Sequence, residues 1–135
     1  MAAHQFTHAL AKINVQGSES NPYDISGGPA LVEISLTETF TGDIDGTSTV
    51  RALQVRHSDG SATMVSVQRF AGSLNGQEGT FVLQGSESIE AGKIKATWFV
   101  VPRSGTGSLT GLRGSGGFEG EFGKGSDGDL NYWFE

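Results

Sequence analysis

Cysteine is missing from all 135 residues of the chain, and proline occurs only 3 times. The first absence excludes disulfides, thiolate nucleophiles, thiol-ligated zinc and iron–sulfur clusters. Basic residues are scarce as well: 9 Lys and Arg stand against 15 Asp and Glu, a formal net charge of −6. Phosphate backbones need a basic face, so nucleic acid is not an expected partner. No stretch approaches the ~18 consecutive apolar residues of a membrane helix, and Met1 to Phe6 carries neither a basic region nor a long apolar core. No membrane partner is expected, and a cytoplasmic setting is the default expectation.

What the chain does contain is glycine, 21 residues of it, among apolar residues that make up 36% of the sequence. Apolar residues in every segment argue for a packed core rather than disorder. The length fits a single domain spanning 1–135. Glycine at this level marks turns, and between the turns β-branched and aromatic residues alternate with polar ones, the period-two pattern of strands. The pattern predicts strands over 5–15, 30–41, 48–57, 63–74, 77–84, 93–101, 112–121 and 129–135. The expected fold is therefore all-β, a closed or nearly closed antiparallel barrel of about eight strands joined as a meander.

One short motif occurs at Gly42-Asp43-Ile44-Asp45-Gly46, Gly72-Ser73-Leu74-Asn75-Gly76 and Gly107-Ser108-Leu109-Thr110-Gly111. Paired glycines allow backbone angles that bulkier residues resist, and the aliphatic residue between them can fold inward as a plug. In a meander the motifs join strands 2–3, 4–5 and 6–7, so all lie at one end, which the plugs close. The other end carries the connections predicted at 17–29, 58–61, 85–92 and 122–128, which are longer, polar and acidic.

Phe40 and Phe70 each precede the first motif glycine by two residues. Counting back in twos places Val32, Ile34, Leu36, Glu38 and Phe40 on the interior face, with Met64, Ser66, Gln68 and Phe70 beside them. The same count in strand 6 selects Thr97, Phe99 and Val101. Val65, Val67, Ile94, Trp98 and Val100 then point outward, and an apolar exterior predicts self-association into a dimer or trimer.

The run Trp98-Phe-Val-Val-Pro102-Arg-Ser-Gly-Thr-Gly107-Ser-Leu-Thr-Gly111-Leu-Arg-Gly114-Ser-Gly-Gly-Phe118 has Phe-Val-Leu-Gln before it at 81–84 and Leu-Asn-Tyr-Trp-Phe-Glu closing the chain at 130–135. It resembles a bacterial family of small domains of unknown function with an allene oxide cyclase-like β-barrel. The resemblance covers nearly everything from about Ala30. It implies an eight-stranded barrel with a central cavity and an oligomeric habit, and no established reaction. Two positions depart from the family pattern: Gln68 stands where a glutamate usually precedes the Arg-Phe pair of strand 4, and Gly85 where a histidine usually follows the glutamine ending strand 5. If those two groups act together in relatives, their loss here argues against acid–base chemistry at that spot.

Other chemical motifs fail on inspection. Asp43-x-Asp45-Gly46 and Asp127-x-Asp129-x-Asn131 begin like calcium loops but do not complete the pattern, and turn carboxylates explain them. Gly105-x-Gly107 and Gly114-x-Gly116 lack the third glycine and the following helix of a dinucleotide site; Gly123-Lys124 lacks the rest of a P-loop. No Gly-x-Ser-x-Gly elbow occurs. His4, His8 and His57 show no metal-ligand spacing. Neither a cofactor nor a metal is expected, and the sequence leaves open whether the protein is an enzyme.

Polar residues on the interior face remain. A buried polar group without a partner costs about 1–3 kcal/mol, so these must bond one another, water or a ligand. The candidate ligand-binding set is Glu38, Met64, Ser66, Gln68, Phe70, Gln84, Thr97 and Phe99. It describes a barrel holding a small, mostly apolar molecule near the end opposite the plugs, with cyclisation or isomerisation as the chemistry that confinement favours. The competing reading is a non-catalytic structural or assembly module whose barrel is filled by its own side chains.

Overall fold

A computed structural model describes residues 5–121 and 124–135. The chain forms β1 (Thr7–Asp24), β2 (Ala30–Gly42), β3 (Ile44–Arg56), β4 (Ala62–Leu74), β5 (Gln77–Glu90), β6 (Lys93–Val100), a 3-10 turn at Gly107–Leu109, β7 (Leu112–Glu121) and β8 (Ser126–Phe134). Each strand pairs antiparallel with the next, and β1 pairs with β8 from Thr7 opposite Tyr132 to Ile13 opposite Ser126, which closes the barrel. Closure removes the free edges that an open sheet would present. No helix among the described residues is long and apolar enough to cross a membrane.

The strands are longer than the alternation suggested. β1 continues to Asp24 by means of register shifts at Val15/Gly17 and Pro22/Asp24, and β5 continues to Glu90, so its connection to β6 is the turn at Ala91-Gly92. The long polar loops expected at 17–29 and 85–92 are in large part strand: bulges absorb the irregular residues of β1, and the Ser and Glu residues of β5 alternate with Glu87 and Ile89 that face inward.

The plugs behave as their sequence indicated. Ile44, Leu74 and Leu109 are all buried in one core cluster, and every flanking motif glycine has positive φ. Gly46 and Gly72 sit opposite each other on β3 and β4. A Cβ on Gly72 would lie 2.2 Å from the Asp45 carbonyl oxygen, so only glycine permits this approach. Above the plugs the cluster is aromatic: Phe70 packs against Phe40 at 5.3 Å and Phe81 at 5.0 Å, and Trp98 stacks on Phe40.

Trp98 corrects the phase of β6. Thr97 and Phe99 point out of the barrel, whereas Ala96, Trp98 and Val100 are buried within it. The count in twos from Gly107 fails because β6 ends at Val100 and the segment 101–106 is irregular, with Arg103 at φ 65°. Trp98 finds room because it lies opposite Gly116 on β7, and its indole N–H donates to the Asp129 carbonyl at 3.0 Å. Ile94 likewise borders the interior.

Candidate functional site

The aromatic cluster fills only one half of the interior. In the other half a cavity of about 570 Å³ opens toward the end away from the plugs. The boundary is the hydrogen-bonded row Glu38, Ser48, Phe70 and Phe81 across β2 to β5. Beyond it the inward positions become Ile34, Leu36, Val50, Ala52, Met64, Ser66 and Gln68, side chains too small or too flexible to fill the space, with Ile89, Ile94 and Phe118 as the far wall. A cavity of this size, lined by aliphatic side chains together with a set of polar ones, is large enough for a small molecule.

The polar groups are concentrated. Glu87 is 7% exposed, and its Oε2 accepts a hydrogen bond of 2.7 Å from the Ser66 hydroxyl. Its Oε1 has no partner, and the same is true of Gln68 Oε1 and Ser48 Oγ, all of them buried. Each of these buried atoms calls for a partner that the protein itself does not supply, a water or a ligand. Gln54 is occupied, accepting from Arg56 Nε at 2.8 Å.

Glu87 stands where it does because Gly85 has no side chain. A Cβ at Gly85 would meet Glu87 Oε2 at 2.9 Å, so the carboxyl reaches back over the space that a larger residue at 85 would use. The inference that this spot had lost its ionisable groups is therefore corrected: Gly85 makes room for one supplied two residues later. Burial raises Glu87 above the usual carboxylate range, against the opposing Ser66 bond. Burial, reinforced by the Glu87 charge, pushes Glu38 up to about 7.

Of the expected site residues, Glu38, Met64, Ser66 and Gln68 line the cavity together. Phe70 lies just beneath it in the packed half. Gln84, Thr97 and Phe99 face outward and leave the interior set; Leu83, Gly85 and Glu87 take the inward phase of β5. Glu87 lies beyond Gln84, where the alternation ends strand 5, and so falls outside the set the sequence predicts. The inward alternation Phe81, Leu83, Gly85, Glu87, Ile89 was the available signal.

Gln84, Thr97 and Phe99 instead border a more open groove of about 770 Å³ on the outer wall. It contains two cross-strand rows, Leu53–Val65–Ser86–Thr97 and Arg51–Val67–Gln84–Phe99, in which Leu53, Val65, Val67 and Phe99 are exposed. None of the three unpartnered buried atoms borders it.

The remaining candidates have structural roles. Asp43 Oδ2 caps the Leu10 N–H at 2.9 Å, Asp127 pairs with Lys12 at 3.3 Å and Asp129 accepts from the Gly117 N–H. His8 is bonded to Asn131 at 2.6 Å; His4 and Gly123 lie outside the described residues. Among the described residues no group of three or more His, Asp or Glu is placed to hold a metal ion.

Residues 9–135 match the protein family DUF3224, described as a protein of unknown function. A crystal structure of a protein of unknown function from that family, from Shewanella oneidensis MR-1, is 29% identical and superposes with a TM-score of 0.78 over 97% of this chain and 99% of that chain. No curated protein matches.

Proposed function

The chain belongs to the DUF3224 family, and from that premise we propose that it is a binding barrel that holds a small, mostly apolar molecule in the open half of its interior. The observation that carries this reading is the pair of buried side chains with unpartnered acceptors, Gln68 and Glu87, on the wall of a cavity of about 570 Å³ that aliphatic and polar side chains line together. A ligand with an apolar body and a hydrogen-bond donor at one end satisfies both features: the body covers Ile34, Leu36, Met64 and Ile89, and the donor meets Gln68 or Glu87. Confinement there also suits cyclisation or isomerisation, with Glu38 as the group that holds a proton near neutral pH.

The test is an amide NMR titration with 1-octanol, beside native mass spectrometry of freshly purified protein. Saturable shifts confined to residues such as Ala52, Ser66, Gln68 and Glu87 are expected, with any retained molecule lost on denaturation. No saturable shift, or shifts confined to the outer wall, would refute the reading.

A second reading rests on the outer rows of Leu53, Val65, Val67 and Phe99. Monomeric barrels rarely expose so continuous an apolar face, and a second copy of the chain is the occupant we propose for it. Sedimentation velocity of Val67→Asp tests this: a shift toward monomer is expected, and an unchanged oligomer or a monomeric parent protein refutes it.

A further inference from the structure

We infer that the molecule held in the barrel is an organic ammonium ion, an amine with an apolar body whose charged head sits between Glu87, Gln68 and Glu38. The inference rests on the pocket reading above and adds the charge and chemical class of its ligand.

The charged groups bordering the cavity are strongly unbalanced. Glu19 on β1, Glu38 on β2, Glu87 on β5 and Glu121 on β7 face Arg56 on β3, while the lining residues of β4, β6 and β8 carry no charge. The excess cannot be cancelled by the base present, because Arg56 sits toward the mouth and donates to Gln54. Glu121 at the rim has its own partner, Lys124, at 3.2 Å. Glu38 and Glu87 are the deep pair, and among the described residues that line the cavity no cation accompanies them.

The hydrogen-bond inventory points the same way. Gln68, 4% exposed, and Glu87 each leave an oxygen acceptor unmet on a side chain that lines the cavity. An alcohol brings one donor to these sites, whereas an ammonium head brings three and a charge opposite to that of the carboxylates. A carboxylic acid ligand would add acceptors and negative charge where both are already in excess. Because burial raises both carboxyls, Glu38 to about 7, seating a cation favours their ionised forms: below about pH 7 Glu38 gives its proton to solvent while the ammonium keeps its own. Binding of an amine is therefore coupled to proton release and weakens as the solution is acidified.

Isothermal titration calorimetry with octylammonium chloride, 1-octanol and sodium octanoate, three probes of matched chain length, separates the cases. At pH 7.5 octylammonium is expected to bind at least tenfold more tightly than 1-octanol and to be displaced by it, with octanoate the weakest. The ammonium advantage should shrink at least fivefold at pH 5.5, and the observed heat should differ between phosphate and Tris in the sense of proton release. Glu87→Gln, and independently Glu38→Gln should Glu87→Gln not fold, should reduce the advantage, read as the ratio of the octylammonium and 1-octanol affinities of the same variant, to threefold or less. If 1-octanol matches octylammonium, or the advantage survives in both variants, the ammonium inference is wrong and the pocket reading stands. If none of the three probes binds, both are wrong.

Discussion

The packed half and the open half of the barrel interior are made by the same strands, and the residues that distinguish them are two positions apart. Phe40 belongs to one and Glu38 to the other, and Phe70 and Gln68 divide in the same way. Backbone geometry, pairing and alternation are continuous across the boundary, so the change comes wholly from side-chain volume and polarity. Strand number sets the width of a barrel, and its side chains decide whether that width is filled. Here the filled half supplies the stability that lets the other half stay empty and polar.

That division predicts opposite responses to substitution, and the largest is in the packed half. Phe70 is fully buried between Phe40 and Phe81, so Phe70→Ala removes two ring contacts and leaves a void that the plugs cannot collapse into. A loss of about 3–5 kcal/mol is expected in urea unfolding. A loss below about 1 kcal/mol would show that the aromatic half is not the structural half. Leu74→Ala, at a plug, should cost about 2–5 kcal/mol by the same mechanism.

The plugs were the most legible part of the sequence. Gly-x-Ile/Leu-x-Gly imposes a backbone requirement and a burial requirement at once; Gly42, Gly72 and Gly107 meet the first, and Ile44, Leu74 and Leu109 the second. The inward phase of β2 and β4 was legible for a related reason: both strands run unbroken into a motif, so counting back from the glycine is valid. β6 does not, and the irregular segment 101–106 cost the count its phase, sending Thr97 and Phe99 inward on paper and Trp98 outward. Half of the site was hidden differently. Ser86-Glu87-Ser88 reads as a polar loop because its polar residues obscure the alternation through Leu83, Glu87 and Ile89, and the pairing of Met64 with Glu87 and Ser66 with Gly85 makes it the continuation of β5. Tertiary pairing overrode weak strand propensity there.

The next effect in size is carried by protons and separates the halves without any mutation in the packed one. Glu38 has its folded value raised to about 7 from an ordinary 4.5, and Glu87 is raised as well. Between those values the folded state binds more protons than the unfolded chain, so stability falls as pH rises through the window. For Glu38 the full span amounts to about 2–3 kcal/mol, present at pH 4.5 and lost by pH 8. Asp24 and Asp59 shift the other way, lowered by Ser26 and Ser61, and act only below their ordinary value of 3.8. The urea midpoint should therefore be higher at pH 5 than at pH 8, and Glu38→Gln/Glu87→Gln should flatten the difference. A midpoint that rises with pH in the parent protein would mean that the open half does not bury its carboxyls.

Gln68→Leu has the smallest effect on stability and draws the boundary most sharply, because it lies one inward position from Phe70. The change deletes an acceptor that has no partner and puts an apolar side chain of similar length against Leu36, Val50 and Leu83, its neighbours in the same cross-strand row. Removing an unsatisfied buried group offsets the repacking it requires, so the urea midpoint should move by less than about 1 kcal/mol in either direction. Binding should move much more, since the ligand's donor loses its acceptor while the apolar wall is kept: a five- to twentyfold weaker affinity for 1-octanol is expected by calorimetry. Stability and affinity are thus uncoupled at residue 68, although two residues further along β4 a substitution changes mainly stability. Should Gln68→Leu destabilise the protein as much as Phe70→Ala does, the amide is part of the core, and the boundary between the halves lies nearer the open end than Glu38, Ser48, Phe70 and Phe81 place it.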